Sequence, residues 1–166
     1  MKNLIFVNGT MGVGKTTTCN ELQKILSSSI FLDGDWCWNM KLFIVTEETK
    51  KMVTDNICHL INNFLCCTEF QNIIFCWVMH KQAIIDSILE NLNLVNVHYY
   101  LFTLTISEQS LQKHLTNDIL TGKRTNDTFI ESCHRLSFYK EIDSIKINVS
   151  EITAKEAAKV IVTYLI

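Results

Sequence analysis

The segment at residues 9–16, GTMGVGKT, limits the possible folds of this chain more than any other feature of its sequence. It matches the pattern G-x-x-x-x-G-K-[ST], a glycine-rich loop whose backbone N–H groups surround phosphate. An apolar run at residues 4–7 precedes the loop, and a helical pattern begins at Thr16. A buried strand, this loop and then a helix form the setting in which the pattern binds phosphate, because a helix N-terminus favours anions.

The loop residues predict a site for a nucleoside triphosphate and Mg²⁺. The glycines let the backbone approach phosphate, Lys15 would contact the β- and γ-phosphates, and the Thr16 hydroxyl would bind Mg²⁺. The residues expected to contact the nucleotide in this way are Gly9, Thr10, Met11, Gly12, Val13, Gly14, Lys15, Thr16 and Thr17.

Short apolar runs alternate with longer helical patterns along the whole chain. They predict strands at residues 4–7, 30–32, 73–78, 97–106 and 145–149. Helices are predicted at residues 16–26, 46–66 and 81–92, after a cap at Ser107, at about 128–140, and after a capping box at 153–156. This alternation indicates an α/β fold with a parallel sheet of about five strands, covered on both faces, in one domain over residues 1–166.

Composition argues against several classes of protein. The net charge is −2 and the pI about 6.2, and the basic residues form no cluster of the kind that binds nucleic acid. Because the apolar runs are too short to span a bilayer, we expect a cytoplasmic protein without a membrane or nucleic-acid partner. Seven cysteines without a C-x-x-C motif fit reduced thiols, and Cys66 and Cys67 are predicted to be buried small hydrophobic residues. The sequence leaves the oligomeric state open.

Two carboxylates stand at the end of the second predicted strand, in the order Asp33, Gly34, Asp35. In a parallel sheet this position lies at the carboxyl edge, where ligands bind. One carboxylate could hold Mg²⁺ through water, and the other could accept a proton from an attacking hydroxyl group. The alternative is a simple turn, since Asp-Gly is common in turns, but the neighbouring phosphate loop favours the functional interpretation.

Arginine occurs only twice in the chain, at Arg124 and Arg135. Arg124 falls in the polar stretch at residues 121–127, which is predicted to be a loop, and Arg135 falls in the helix that follows. Guanidinium groups bind phosphate oxygens bidentately and could neutralise charge on a transferred phosphoryl group. The alternative is a solvent-exposed helical face.

Aromatic residues gather near the same predicted sheet edge. Trp36 and Trp38 follow Asp35, while Trp77 and His80 follow the third predicted strand. These side chains could form a wall for a flat or sugar-bearing acceptor, and ordinary aromatic packing is an equally good interpretation. For His80, we expect a helix cap rather than a second base.

The order of these elements resembles the small P-loop kinases related to nucleoside monophosphate kinases, shikimate kinase, gluconate kinase and chloramphenicol phosphotransferase. The phosphate loop, the sequence LDGD at residues 32–35, the long helix and the terminal strand and helix carry the resemblance over nearly the whole chain. The resemblance implies a sheet in the order 2-3-1-4-5, ATP and Mg²⁺ as cofactors, and a short lid at about residues 121–127.

The resemblance also implies roles for single residues. Asp33 falls at the position that holds a Mg²⁺-bound water, Asp35 at the acceptor-hydroxyl position, and Arg124 and Arg135 at the positions of lid arginines. His114 stands where many relatives carry an arginine that stacks on adenine, and an imidazole could stack there too. The third strand ends without an aspartate, so Mg²⁺ would depend on the loop threonine, on Asp33 or Asp35, and on ATP.

Three functions remain open at this point. We favour ATP-dependent phosphorylation of a hydroxyl group on a small molecule. A nucleoside monophosphate kinase is the near alternative, but residues 36–71 contain no arginine to hold an acceptor phosphate. The third is a nucleotide-binding ATPase or switch, although the D-x-x-G and N-K-x-D motifs of a GTPase switch do not occur in the sequence.

Overall fold

A sheet of five parallel strands lies at the centre of the structure, a computed structural model that describes residues 1–120 and 127–165. The strands are β1 (Lys2–Asn8), β2 (Ser29–Asp33), β3 (Asn72–Cys76), β4 (Val97–Thr105) and β5 (Ile145–Asn148). Their order across the sheet is β2-β3-β1-β4-β5, and each neighbouring pair is parallel. The predicted parallel sheet and the strand order implied by the resemblance are both confirmed.

Helices cover both faces of this sheet. The α-helices are α1 (Lys15–Ile25), α2 (Glu47–Cys66), α3 (Gln82–Leu89), α4 (Glu108–Leu120), α5 (Asp127–Arg135) and α6 (Ala154–Val162). The predicted capping box before α6 is present, since Thr153 Oγ1 accepts from the Glu156 N–H (3.2 Å) and Glu156 Oε2 accepts from the Thr153 N–H (2.7 Å). None of the described helices combines the length and apolar character needed to cross a membrane.

The segment after α5 differs from the prediction of one helix at about 128–140. The helix ends at Arg135, and a separate 3-10 turn covers Phe138–Lys140. The Leu136 N–H donates to the Cys133 carbonyl three residues back (3.1 Å), which tightens the last turn and ends the helix. The change of direction brings Tyr139 into the core, where it is 2% exposed.

Side chains of β1 alternate between two hydrophobic cores on opposite faces of the sheet. Leu4 and Phe6 pack with α2 and α3, whereas Ile5 and Val7 pack with α1, α4 and α6. Full burial of one such side chain stabilises the fold by about 1.5–3 kcal/mol. The central strand is therefore held from both sides, and its carboxyl end provides a rigid base for the phosphate loop.

The two cysteines at the end of α2 contradict the prediction that they are buried. Cys66 is exposed and Cys67 is half-buried. The buried residues of α2 are Val53, Ile57, Cys58 and Ile61. Because Cys66 comes five residues after Ile61, it points about 140° away from the direction of Ile61.

Candidate functional site

The phosphate loop joins β1 to α1 in a conformation that requires glycine. Gly12 has φ +80°, and a Cβ atom there would overlap the side chain of Leu115 in α4. Gly9 has φ +144°, and a Cβ atom there would lie 2.8 Å from the carbonyl oxygen of Leu104 in β4. Any larger residue would be strained at both positions, so the sequence motif is needed for the close packing of the loop as well as for phosphate.

The buried side chain of Asn8, which was not predicted as part of the site, fixes the start of the loop. Its Oδ1 accepts hydrogen bonds from the N–H groups of Gly9 (2.8 Å) and Met79 (2.9 Å), and its Nδ2 donates to the Met79 carbonyl (2.8 Å). The loop is thereby tied to the segment that follows β3. A polar residue at the end of an otherwise apolar strand was the signal that could have identified it.

The side chains of Thr10 and Lys15 also make hydrogen bonds that hold the loop. Thr10 is 1% exposed, and its hydroxyl donates to the Ser132 carbonyl in α5 (2.9 Å), so this side chain faces α5. Lys15 Nζ donates to the carbonyls of Gly9 (2.9 Å) and Thr10 (3.0 Å). The Lys15 ammonium thus lies across the loop, at the place where the motif requires a cation for phosphate.

A cavity of about 570 Å³, here named the loop cavity, lies over the phosphate loop. It is lined by residues 11–18, Asp35, Val78, His114, Asp118, Val149, Ile152 and Ala154. His114, predicted as a nucleotide contact, is brought to this cavity, and its Nδ1 lies 3.2 Å from the Gly12 carbonyl oxygen. The structure therefore places the imidazole beside the loop, and its stacking on a base stays a prediction.

The predicted metal-binding residues Thr16 and Asp33 are in direct contact. Thr16 Oγ1 donates to Asp33 Oδ2 at 2.6 Å, and Asp33 is 5% exposed. A hydroxyl and a carboxylate are hard oxygen donors, which is the ligand chemistry that Mg²⁺ prefers. Because the described residues contain no cluster of three or more His, Cys, Asp or Glu side chains, a metal ion here would take its other ligands from nucleotide and water.

A second cavity, of about 860 Å³, is named the aromatic cavity. All five predicted acceptor residues, Asp35, Trp36, Trp38, Trp77 and His80, line it. The other lining residues are Met11, Asn39, Phe43, Val45, Lys50, Thr54, Val78, Ile84, Ser87, Glu131 and Arg135. Segments that follow β2 and β3 are thus brought together at the carboxyl edge of the sheet, as predicted.

Trp36 and Trp38 pack against other rings and also line the aromatic cavity. The Trp36 ring meets Phe31 edge-on with centroids 5.4 Å apart, and the Trp38 ring meets Phe43 at 5.3 Å. The interpretation as aromatic packing is therefore confirmed, and contact with an acceptor stays a prediction. Phe43 was not predicted as a site residue, although the apolar run at residues 42–45 outside any predicted element was a signal for it.

Trp77 lies directly over Gly34. A Cβ atom on Gly34 would come within 2.6 Å of Trp77 Cγ, so the glycine makes room for the indole. Gly34 therefore positions a wall of the aromatic cavity, a role that the turn-forming character of Asp-Gly did not reveal.

Asp35 occupies the boundary between the two cavities. Together with Met11 and Val78, it lines both of them. The Asp35 N–H donates to Asp33 Oδ1 (3.1 Å), which fixes the start of the 3-10 turn Gly34–Trp38. The structure thus places one carboxylate of the pair beside the loop threonine and the other between the cavities.

The prediction that His80 caps a helix is wrong. The residue before α3 is Lys81, and its side chain makes no capping hydrogen bond. The His80 Nδ1 atom is buried without a hydrogen-bond partner in the described part of the chain, and its ring lies 6.2 Å from that of Phe138. Burial lowers the pKa of His80, and the positive charges of Arg135 and Lys81 lower it further, so the imidazole is neutral at pH 7.

Arg135 lines the aromatic cavity, where its Nη2 lies 3.5 Å from Glu131 Oε2. The preceding turn of α5 is anchored at Ser132 by the phosphate loop. Contact between Arg135 and ATP stays a prediction. Arg124 and residues 121–126 of the predicted lid lie outside the described residues.

Comparison with known proteins identifies a family. Residues 5–128 match the model of the family described as "AAA domain". No curated protein sequence matches the chain.

Solved structures share the fold at low sequence identity. The tunicamycin resistance protein of Deinococcus radiodurans superposes with a TM-score of 0.72 at 15% identity, over 98% of this chain and 95% of that one. A gluconokinase from Sinorhizobium meliloti gives 0.69 at 14% identity, over 95% and 87%. A shikimate kinase from Acinetobacter baumannii, solved with shikimate, gives 0.66 at 16% identity, over 98% and 92%. The chain therefore belongs to the AAA domain family and has the fold of the small P-loop kinases.

Proposed function

We propose that the protein is an ATP-dependent phosphotransferase that moves the γ-phosphate of ATP to a hydroxyl group of a small molecule. The observation that carries the proposal is the position of Asp35, which lines both the loop cavity and the aromatic cavity. A carboxylate between a phosphate-binding loop and a second cavity can accept a proton from a hydroxyl group directed at the terminal phosphate.

The loop cavity would hold the nucleotide. Backbone N–H groups of the loop and the Lys15 ammonium would bind the phosphates, which then replace the loop carbonyls that Lys15 contacts at 2.9 and 3.0 Å. Thr16 and Asp33 would hold Mg²⁺, which neutralises negative charge on the phosphates when it is bound. His114 would contact the base or ribose from the rim of the loop.

The aromatic cavity would hold the acceptor. The hydroxyl oxygen of the acceptor forms a bond to the γ-phosphorus of ATP. At the same time the bond from that phosphorus to the β–γ bridging oxygen breaks, and ADP leaves. The hydroxyl proton passes to the Asp35 carboxylate. Arg135 would approach the transferred phosphoryl group from the acceptor side and neutralise its charge, and Arg124 would do so from the proposed lid. We propose that residues 1–166 form a single kinase domain.

A screen of ATP consumption tests this function. Purified protein with Mg²⁺ is offered nucleosides, sugars, and aminoglycoside- or phenicol-type antibiotics in one arm, and nucleoside monophosphates in the other. We expect acceptor-dependent ATP consumption in the first arm. Rapid turnover with monophosphates alone would make the protein a nucleotide kinase, and turnover that no compound changes would make it an ATPase.

A further inference from the structure

The aromatic cavity is larger than the loop cavity, at about 860 Å³ against about 570 Å³. Cavities of 300–1,000 Å³ enclose drug-sized ligands, so this volume suits an acceptor with several rings or a ring and a chain. Most of the surface that the cavity presents is apolar. A compact polyhydroxy acid would leave much of the cavity empty and many of its hydroxyl groups without partners.

Aromatic side chains at this cavity are open to solvent. Trp36 is 58% exposed and Phe43 is 71% exposed, although both also pack against a second ring. Those contacts, to Phe31 and Trp38, leave most of each ring uncovered. Exposed aromatic faces gain from a flat apolar group that covers them.

The charges of the cavity do not favour an anionic acceptor. Arg135 faces Glu131 at 3.5 Å, and Lys50 pairs with Glu47 at 2.7 Å. Each described cation of the cavity thus has an acidic neighbour, and Asp35 adds a further carboxylate. The described lining thus carries two positive charges, Lys50 and Arg135, and two negative charges, Asp35 and Glu131, and gives an anionic acceptor no net attraction.

His80 lines the cavity without adding a positive charge to it. Burial lowers the pKa of its imidazole, and the charges of Arg135 and Lys81 lower it further. The ring is therefore a neutral part of the cavity wall.

From these features we infer that the acceptor is a neutral alcohol that carries a flat aromatic or apolar group. The flat group lies against Trp36, Trp38 and Phe43, while the hydroxyl group meets Asp35 at the boundary with the loop cavity. This inference rests on the proposed function and names the chemical class of its acceptor.

Matched pairs of neutral alcohols test the inference. Each pair shares its hydroxyl groups and differs in one flat ring: methyl and phenyl glucoside, propane-1,2-diol and 3-phenylpropane-1,2-diol, and methyl ribofuranoside and uridine. Binding is measured by tryptophan fluorescence without ATP, and phosphorylated product by mass spectrometry with ATP and Mg²⁺. We expect the aromatic member of at least one pair to bind about tenfold more tightly and to be phosphorylated.

Substitutions at neighbouring positions show which side chains cause the preference for the aromatic member. Phe43→Ala should remove most of the preference for the aromatic member, whereas Leu42→Ala should keep it, because Leu42 is as exposed (72% against 71%) but does not line the cavity. Trp38→Ala should act like Phe43→Ala. Circular dichroism of each variant checks that the fold is kept.

The possible results separate the inference from the proposed function. If methyl and aromatic members bind and react equally, or if only the polyols react, the inference is wrong while the phosphotransferase stands. If the aromatic members bind in the cavity but no phosphate is transferred, the inferred class of ligand is supported and the proposed function fails. Absence of binding in every pair would overturn the inference.

Discussion

The loop cavity and the aromatic cavity meet at Asp35 but are built from different parts of the chain. The loop cavity is formed largely by consecutive residues, 11–18. The start of their loop is held by buried hydrogen bonds, in which Asn8 Oδ1 accepts from the Gly9 N–H and the Thr10 hydroxyl donates to the Ser132 carbonyl. The aromatic cavity is formed by side chains from separate segments, and Phe43 and Trp36 in its wall are largely exposed.

Because of this difference, the shape of the loop cavity depends on the backbone fold, whereas the shape of the aromatic cavity depends on single side chains. A change in the loop alters the backbone that also packs against β4 and α4, so the proposed nucleotide site and the fold depend on the same residues. A change of an exposed aromatic side chain should alter the proposed acceptor site at little cost to the fold. Proteins with this fold can therefore keep one nucleotide site and differ in acceptor, which is why fold similarity alone does not name the acceptor here.

The largest effect on phosphoryl transfer should come from a substitution in the phosphate loop. Lys15→Ala should reduce phosphoryl transfer below detection while the fold persists, because the contact to the transferred phosphate is worth several kcal/mol of the barrier. Kinase assays with circular dichroism measure both properties. Lys24→Ala, an exposed lysine on the same helix, is the matched control and should be fully active. A folded Lys15→Ala protein with normal turnover would contradict the proposed role.

At the boundary between the cavities, Asp35→Asn should lower acceptor phosphorylation by roughly two to four orders of magnitude. ATP affinity should stay nearly unchanged, because the carboxylate in contact with the loop threonine is that of Asp33 (2.6 Å). Asp33→Asn should show the reverse pattern, with weaker binding of ATP in the presence of Mg²⁺. Titration calorimetry and initial rates on both variants check this division, and loss of ATP·Mg²⁺ binding in Asp35→Asn would reverse the two assignments.

Substitutions of Arg135 test whether its side chain acts on the transferred phosphoryl group or on nucleotide binding. Arg135→Ala should lower kcat by roughly 10²-fold, as for other single donors to a developing charge, and should weaken nucleotide binding much less. Arg135→Lys should recover only part of the rate, because an ammonium cannot bind phosphate oxygens bidentately. Equal losses in rate and nucleotide binding would indicate a static phosphate contact, and unchanged kinetics would indicate a structural pair with Glu131.

The smallest effect on catalysis should come from Gly34, behind the wall of the aromatic cavity. Gly34→Ala places a Cβ atom 2.6 Å from Trp77 Cγ and should lower stability by about 1–3 kcal/mol, since the indole must move. KM for the acceptor should rise, with KM for ATP unchanged. Adding Trp77→Leu should recover stability but not acceptor binding. An unchanged acceptor KM in Gly34→Ala would show that Trp77 does not shape the acceptor site.

Much of the fold could be predicted from local sequence. Strands buried on both faces read as continuous apolar runs, so β1 and β3 were visible, and the motif at residues 9–16 placed the loop between β1 and α1. The cap at Thr153 was predicted because its partner Glu156 is only three residues away. The errors at Cys66 and after Arg135 arose because a continuing apolar pattern does not show where a helix face or a helix ends.

The candidate site was predictable where it follows strand ends. Trp36 and Trp77 come after neighbouring parallel strands, so their meeting at one edge followed from the fold class. Glu131 could not be assigned to the site, because it reaches the cavity only through the direction of α5. Phe43 lies in an apolar run outside any predicted element, which was a signal, but the path of its loop could not be inferred from the sequence. His80 was misassigned because a polar residue just before a helix has the same position in the sequence whether it caps the helix or is buried among distant residues.

The chemical form in which the γ-phosphate leaves ATP tests the central claim most directly. ATP labelled at the γ-position is incubated with Mg²⁺, the protein and a neutral aromatic alcohol that it binds, and the labelled products are separated. We predict that the label appears in an acid-stable phosphate ester of the alcohol, in amounts that fall with Asp35→Asn. Label found only as inorganic phosphate, or in the acid-labile anhydride of a nucleoside diphosphate when monophosphates are supplied, would contradict transfer to a hydroxyl group at Asp35.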